Sequence, residues 1–217
     1  MSQYQAVLFD LDGTLVDTAP DLGFALNTLL QEEGYAPLPD EQIRPVASNG
    51  SAGLLGLGFG ITADDANFKP LQQRFIRLYQ DNIARETAVF PGMLDVLHFI
   101  EDSNITWGIV TNKPAFLTDP LVKLLGLDER ASCVVSGDTT SHAKPHPAPM
   151  LHACDLISIA PEHCLYIGDA ARDIEAGKNA NMTTIAASYG YITEGDDPET
   201  WQADAYISHP HDLLAWF

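Results

Sequence analysis

A chain of 217 residues with 46% hydrophobic and 19% charged content has the balance of an ordinary folded protein, long enough for one sizeable domain or a core with a smaller insert. Its 30 acids against 11 lysines and arginines leave a formal charge of −19, which repels nucleic acid and anionic membrane, and a phosphorylated ligand too unless the site carries its own cations. No apolar run reaches the roughly 20 residues of a membrane helix, and MSQYQAVLFD lacks the basic start and apolar stretch of a secretory leader.

These features point to a cytoplasmic protein, monomer or homodimer, that binds neither nucleic acid nor membrane. In chain order, the first predicted strand is QYQAVLF (3–9), and it ends in Asp10, Asp12, Gly13 and Thr14. DLGFALNTLLQEEGY and ANFKPLQQRFIRLYQDNIARE then read as long amphipathic helices with no strand between them. That break predicts an all-helical insert over 17–85, set into a core made of 1–16 and 86–217. SNGSAGLLGLGFGIT, inside the insert, is no dinucleotide fingerprint, because no strand precedes it and the GxGxxG spacing fails. Its glycines are expected to serve turns and helix packing.

Further strands are predicted at ITWGIVT (105–111), SCVVSG (132–137), CLYIGD (164–169) and TTIAA (183–187), with helical AFLTDPLVKLLGL and ARDIEAGKNANM among them. Near-continuous apolar strands alternating with helices indicate an α/β fold, a Rossmann-like doubly wound parallel sheet covered on both faces. Ligands bind such sheets at the carboxyl ends of the strands. Cys133, Cys154 and Cys164 form no CxxC pair and are expected as buried free thiols. His142 and His146 are four apart, but Pro145 and Pro147 oppose a helix there, so turn residues are the expectation. His209 and His211 read as surface residues, and Trp107, Trp201 and Trp216 as packing residues.

Four polar clusters follow four predicted strands. Asp10 and Asp12, two apart on a strand end, can face one site. Thr111-Asn112-Lys113 puts a hydroxyl at the second strand end, and Ala143-Lys144-Pro145 a lysine locked by proline. Gly168-Asp169-Ala170-Ala171-Arg172-Asp173 adds two acids four apart. Taken singly, these are caps, turns and solvated charges. Taken together, acid pair, hydroxyl, lysine and acid pair form a constellation for handling a phosphoryl group with magnesium.

DLDGT, TN, the lysine of AKP and GDAARD resemble the four motifs of the haloacid dehalogenase-like hydrolase superfamily, across the whole chain. The helical insert resembles that family's C1 cap. DGTLVDTAPDL and VFPGM are similar to phosphoglycolate phosphatases, and WGIVTNKP with the tail SYGYITEGDDPETWQADAYISHP to the N-acetylmuramic acid 6-phosphate phosphatase branch. The resemblance implies a small phosphate ester as substrate and Mg²⁺ as cofactor, with a sugar phosphomutase as a rival on the same scaffold. It implies Asp10 as nucleophile and Asp12 as general acid and base, a dual role that asks for burial or neighbouring acids around Asp12. Thr111 and Lys144 would hold phosphoryl oxygens, with Gly13, Thr14 and Asn112 beside the substrate. The metal would take the Asp10 carboxylate, the Asp12 backbone carbonyl and Asp169, with Asp173 behind them orienting water or Lys144. Arg44 and Asn49, in IRPVASNG beside a glycine turn, are candidates to touch the leaving group.

Overall fold

The computed structural model describes residues 4–217; the predicted start of the first strand at residue 3 and the beginning of MSQYQAVLFD lie outside the described residues. Chain order runs β1 (Ala6–Phe9), β2 (Val16–Asp17), α1 (Ala19–Glu32), α2 (Asp40–Ile43), α3 (Gly50–Phe59), α4 (Phe68–Gln80) and β3 (Ala88–Val89). It continues with α5 (Met93–Asp102), β4 (Thr106–Val110), α6 (Ala115–Leu124), β5 (Val134–Val135), α7 (Ala148–Ile157), β6 (Cys164–Gly168), α8 (Ala171–Asn179), β7 (Thr183–Ala187) and β8 (Ala205–Ile207).

Six strands form one parallel sheet in the order β5-β4-β1-β6-β7-β8. All four residues of β1 are buried because helices cover both faces. Alternation along the strand divides them: Val7 and Phe9 enter one hydrophobic cluster, Ala6 and Leu8 the other. Helix α5 lays Met93, Val96, Leu97 and Ile100 into the first cluster, a single helical stripe. The second cluster holds all three cysteines as buried free thiols, with Cys154 Sγ and Cys164 Sγ 3.8 Å apart.

The helices α1 to α4 lie between β2 and β3, which pair antiparallel through Val16↔Val89 and Asp17↔Ala88. Fully buried Asp21, near the start of α1, accepts hydrogen bonds from the backbone of Glu86 and Thr87 and from the Thr87 hydroxyl. The outgoing and returning chain are thereby tied together. The glycine-rich stretch forms α3, preceded by a 3₁₀ segment, Arg44–Asn49. Gly58 lies so close to Leu26 and Leu30 of α1 that an added Cβ would sit 3.0 Å from Leu26 Cδ1. Gly60 closes the helix with φ 67°, as a left-handed cap requires.

The sequence reading missed β2, β3 and β8, which hold two, two and three residues. Strands this short carry no readable alternation. The predicted strand at 132–137 shrinks to Val134–Val135 at the sheet edge. Trp107 is buried, whereas Trp201 and Trp216 are half-buried. His142 and His146 are exposed with their rings stacked 4.2 Å apart, and His211 meets Asp95 on the surface. No helix among the described residues is long and apolar enough to cross a membrane.

Candidate active site

The β1 ladder continues one residue past the strand, since the Asp10 N–H donates to Ile167 O at 2.9 Å. A tight turn follows, in which Leu11 O accepts from the N–H groups of Thr14, Leu15 and Val16. Gly13 adopts φ 88°, and a Cβ there would stand 2.1 Å from Asp169 Oδ2. Only glycine permits both the turn and the approach of Asp169.

Behind Asp10, the Lys144 ammonium pairs with Asp10 Oδ1 and Asp173 Oδ1, each at 2.7 Å. It also donates to Val110 O and to the Tyr166 hydroxyl, both at 2.8 Å. Four partners saturate its three protons. Burial works to lower this ammonium, but Asp10 and Asp173 outweigh it and keep Lys144 charged. Asn112 positions the lysine's backbone, its side-chain amide donating to Lys144 O and accepting from Lys144 N.

Asp10, Asp169 and Asp173 each bring a carboxylate oxygen within 4.8 Å of the others, all three buried. Burial pushes Asp10 up to about 6; Lys144 opposes the rise and Asp173 adds to it. Burial, then the charges of Asp10 and Asp173, push Asp169 up to about 8. Lys144 pairs with Asp10 and Asp173 but not with Asp169, so ionising all three acids would leave negative charge in excess. A cluster of hard oxygen donors short of positive charge suits a divalent cation such as Mg²⁺. Asp169 Oδ2 accepts from Ser48 Oγ and Tyr191 N, and Oδ1 from Thr14 Oγ1. Asp173 Oδ2 caps α8 by accepting from Ala170 N, so this acid serves the helix start and the site together.

Asp12 stands apart from the acid cluster. Its Oδ1 accepts from Thr18 Oγ1 at 2.6 Å and from Lys113 Nζ at 2.8 Å. Lys113 Nζ also donates to the Tyr79 hydroxyl at 2.9 Å, 4.6 Å from the centre of that ring. Burial alone would lower the Lys113 ammonium, but Asp12 and Tyr79 hold it above its ordinary value. Of the two surroundings expected for Asp12, its side chain has the burial, being 17% exposed, while its partners are a hydroxyl and a cation and not other acids.

A cavity of about 560 Å³ separates these strand ends from the insert, with Asp10, Asp12, Thr111 and Lys113 on one wall and Ser48 and Asn49 on the other. Asn112 also borders the cavity, although its amide is spent on Lys144. Lys144, Asp169, Asp173, Gly13 and Thr14 lie outside the lining. Arg44 is off the wall too; its guanidinium pairs with Asp17 at 2.9 Å and lies 5.2 Å from the Tyr191 ring. The carboxylates of Asp10 and Asp169, expected on the metal, thus meet in one buried cluster with that of Asp173, expected behind them; the part of Asp12 expected on the metal is its backbone carbonyl, which no carboxylate cluster can include.

Sequence reasoning assigned no role to Lys113, Arg172, Ser48, Tyr79 or Tyr191. Lys113 and Arg172 sit inside motifs already singled out, TNK and GDAARD, and as cations in an acidic chain they carried a signal. Arg172 lines the cavity and donates to Ser48 O at 2.8 Å. The Tyr191 hydroxyl accepts from Thr18 N and Ala19 N at the start of α1 and donates to Asp17. Nothing local to Ser48, Tyr79 or Tyr191 announced these contacts.

The family model described as haloacid dehalogenase-like hydrolase matches residues 7–187. The N-acetylmuramic acid 6-phosphate phosphatase of Pseudomonas aeruginosa is 39% identical over 210 residues, covering 97% of this chain and 93% of the relative. A phosphoglycolate phosphatase of Xanthomonas campestris pv. campestris is 40% identical over 215 residues, covering 98% and 97%. Among solved structures, a predicted phosphoglycolate phosphatase from Haemophilus somnus superposes with a TM-score of 0.87 at 25% identity, covering 99% of this chain and 98% of the other.

Proposed function

The chain belongs to the haloacid dehalogenase-like hydrolase family, and from that premise we propose that it is a Mg²⁺-dependent phosphomonoesterase. Its substrate is a small acidic phosphate ester, and the reaction passes through an aspartyl-phosphate on Asp10. The observation that carries this reading is Asp10 itself, on the cavity wall with a saturated lysine and two further acids behind it. An Asp10 oxygen forms a bond to phosphorus as the ester P–O bond breaks and its electron pair leaves with the alcohol oxygen. Asp12 gives that oxygen a proton, then takes one from the water that attacks the aspartyl-phosphate, releasing phosphate and restoring Asp10. Thr111, buried on the same wall, takes a phosphoryl oxygen, and Lys144 offsets charge at Asp10.

A bound Mg²⁺ would be held by Asp10, Asp169 and the Asp12 backbone carbonyl, and it supplies the positive charge that lets a phosphoryl group approach three acids. Asp173 keeps Lys144 in place. The insert over 17–85 acts as a cap that closes the cavity against water.

Phosphoglycolate and N-acetylmuramic acid 6-phosphate, the substrates named for the relatives, both carry a carboxylate besides the phosphate. The cavity of about 560 Å³ lies within the range of sites that enclose sizeable ligands, so it has room for the sugar ester as well as for the two-carbon acid. Phosphate release with Mg²⁺ from these two esters and from common sugar phosphates tests the reading. A hundredfold preference in kcat/KM, about 2.7 kcal/mol of transition-state binding, identifies the substrate. No release from any ester would overturn the phosphatase, and conversion of a sugar 1-phosphate to a 6-phosphate with little phosphate released would make the chain a mutase.

A further inference from the structure

We propose that Lys113 is a positioning residue for proton transfer by Asp12, and that the insert completes it through Tyr79. This rests on the reading of Asp12 as the proton donor. Lys113 Nζ and Thr18 Oγ1 both donate to Asp12 Oδ1, which leaves Oδ2 as the carboxylate oxygen with no protein partner among the described residues. Two donors on one oxygen fix the rotation of the carboxyl and assign the proton to the other oxygen. As the P–O bond breaks, the Oδ2–H proton passes to the leaving oxygen and negative charge appears on Asp12. The ammonium 2.8 Å away meets that charge as it develops, an interaction stronger in the transition state than in the ground state.

Lys113 is held for this task by α4. The Tyr79 hydroxyl accepts from Nζ, and its ring lies under the ammonium. Tyr79 is 1% exposed and Lys113 lies at the cavity wall, so this contact exists only while the insert sits on the core. The proton-transfer end of the site is therefore complete only with the insert in place.

Leaving-group dependence tests the assignment. An alcohol must take a proton as it departs, whereas p-nitrophenolate departs without one. The ratio kcat/KM reports the steps up to that departure. Lys113→Met should lower kcat/KM for the preferred alkyl ester, phosphoglycolate or N-acetylmuramic acid 6-phosphate, by about a hundredfold, and for p-nitrophenyl phosphate by no more than about threefold. Lys113→Arg should restore most of the loss on the alkyl ester. Tyr79→Phe, which keeps the ring, should shift the ratio between the two esters in the same direction by a smaller factor.

Equal losses on both esters would assign Lys113 to phosphoryl binding or to folding and overturn the proposal. Should Lys113→Met fail to fold, the ratio in Tyr79→Phe and Lys113→Arg decides, and an unchanged ratio in both overturns it. Absence of phosphate release by the unaltered chain would refute the phosphatase reading instead, a result distinguishable from either.

Discussion

The two lysine–carboxylate pairs at the strand ends are assembled by different parts of the molecule. Every partner of the Lys144 ammonium belongs to the sheet and its own helices: Asp10 after β1, Val110 in β4, Tyr166 in β6 and Asp173 in α8. Lys113 meets Asp12 with help from the insert, through Tyr79 on α4 and Thr18 beside α1. The first pair is nearly sealed, with side chains 1% and 5% exposed; the second is wetter, at 7% and 17%. The Asp10 end of the site is thus prebuilt by the core, and the Asp12 end is completed by side chains that arrive from the insert.

The largest effect should come from the sealed side. Asp10→Asn should cut phosphate release by more than about a thousandfold with the circular dichroism spectrum unchanged. Activity near that of the unaltered chain would break the covalent mechanism. Next in size, Lys144→Met should cost about 3 kcal/mol in urea unfolding, because it strands a buried carboxylate cluster, and Lys113→Met clearly less. Equal costs would erase the contrast between a prebuilt and a completed pair.

A pH series without metal sharpens the same contrast. Folded Asp10 and Asp169 keep protons up to about 6 and about 8, above the ordinary carboxylate value of 3.8. Between that value and about pH 8 the folded state binds more protons than the unfolded one, so metal-free stability falls as pH rises. Mg²⁺ binds the deprotonated acids, and in thermal melts it should raise Tm more at about pH 8 than at about pH 5. A Mg²⁺ gain independent of pH would separate these acids from the metal. The smallest effect belongs to Arg44→Ala. Its pair with Asp17 is 41% and 25% exposed and contributes about 0.2–1 kcal/mol, so KM should hold steady. A raised KM would return Arg44 to the substrate.

Much of the core was legible because its information is local. Apolar runs ending in Asp10, Thr111 and Asp169 announced buried parallel strands that deliver polar groups to one edge. The run of helices α1 to α4 was legible because no strand pattern interrupts it. What stayed hidden depends on contacts between distant residues. Asn112 looked like a residue facing substrate, yet its amide clamps Lys144, 32 positions away. Lys113 was visible beside Thr111, but its partner Tyr79 lies 34 positions earlier on a helix that reads only as amphipathic. Ser48 reaches Asp169 across 121 positions. Such pairings follow from where the insert lands on the core, and no local pattern encodes that.

The place of β1 in the sheet also bears on how the chain is made. Among the described strands it is the first to be synthesised, yet its neighbours in the sheet begin at Thr106 and Cys164. Its four apolar residues must wait through most of synthesis, and non-local pairing of this kind forms slowly. A nascent chain halted before residue 106 should be cleaved by protease throughout 4–16, while one carried past 187 should resist there. Equal resistance in both would show that the helices alone shelter β1 until its neighbours arrive.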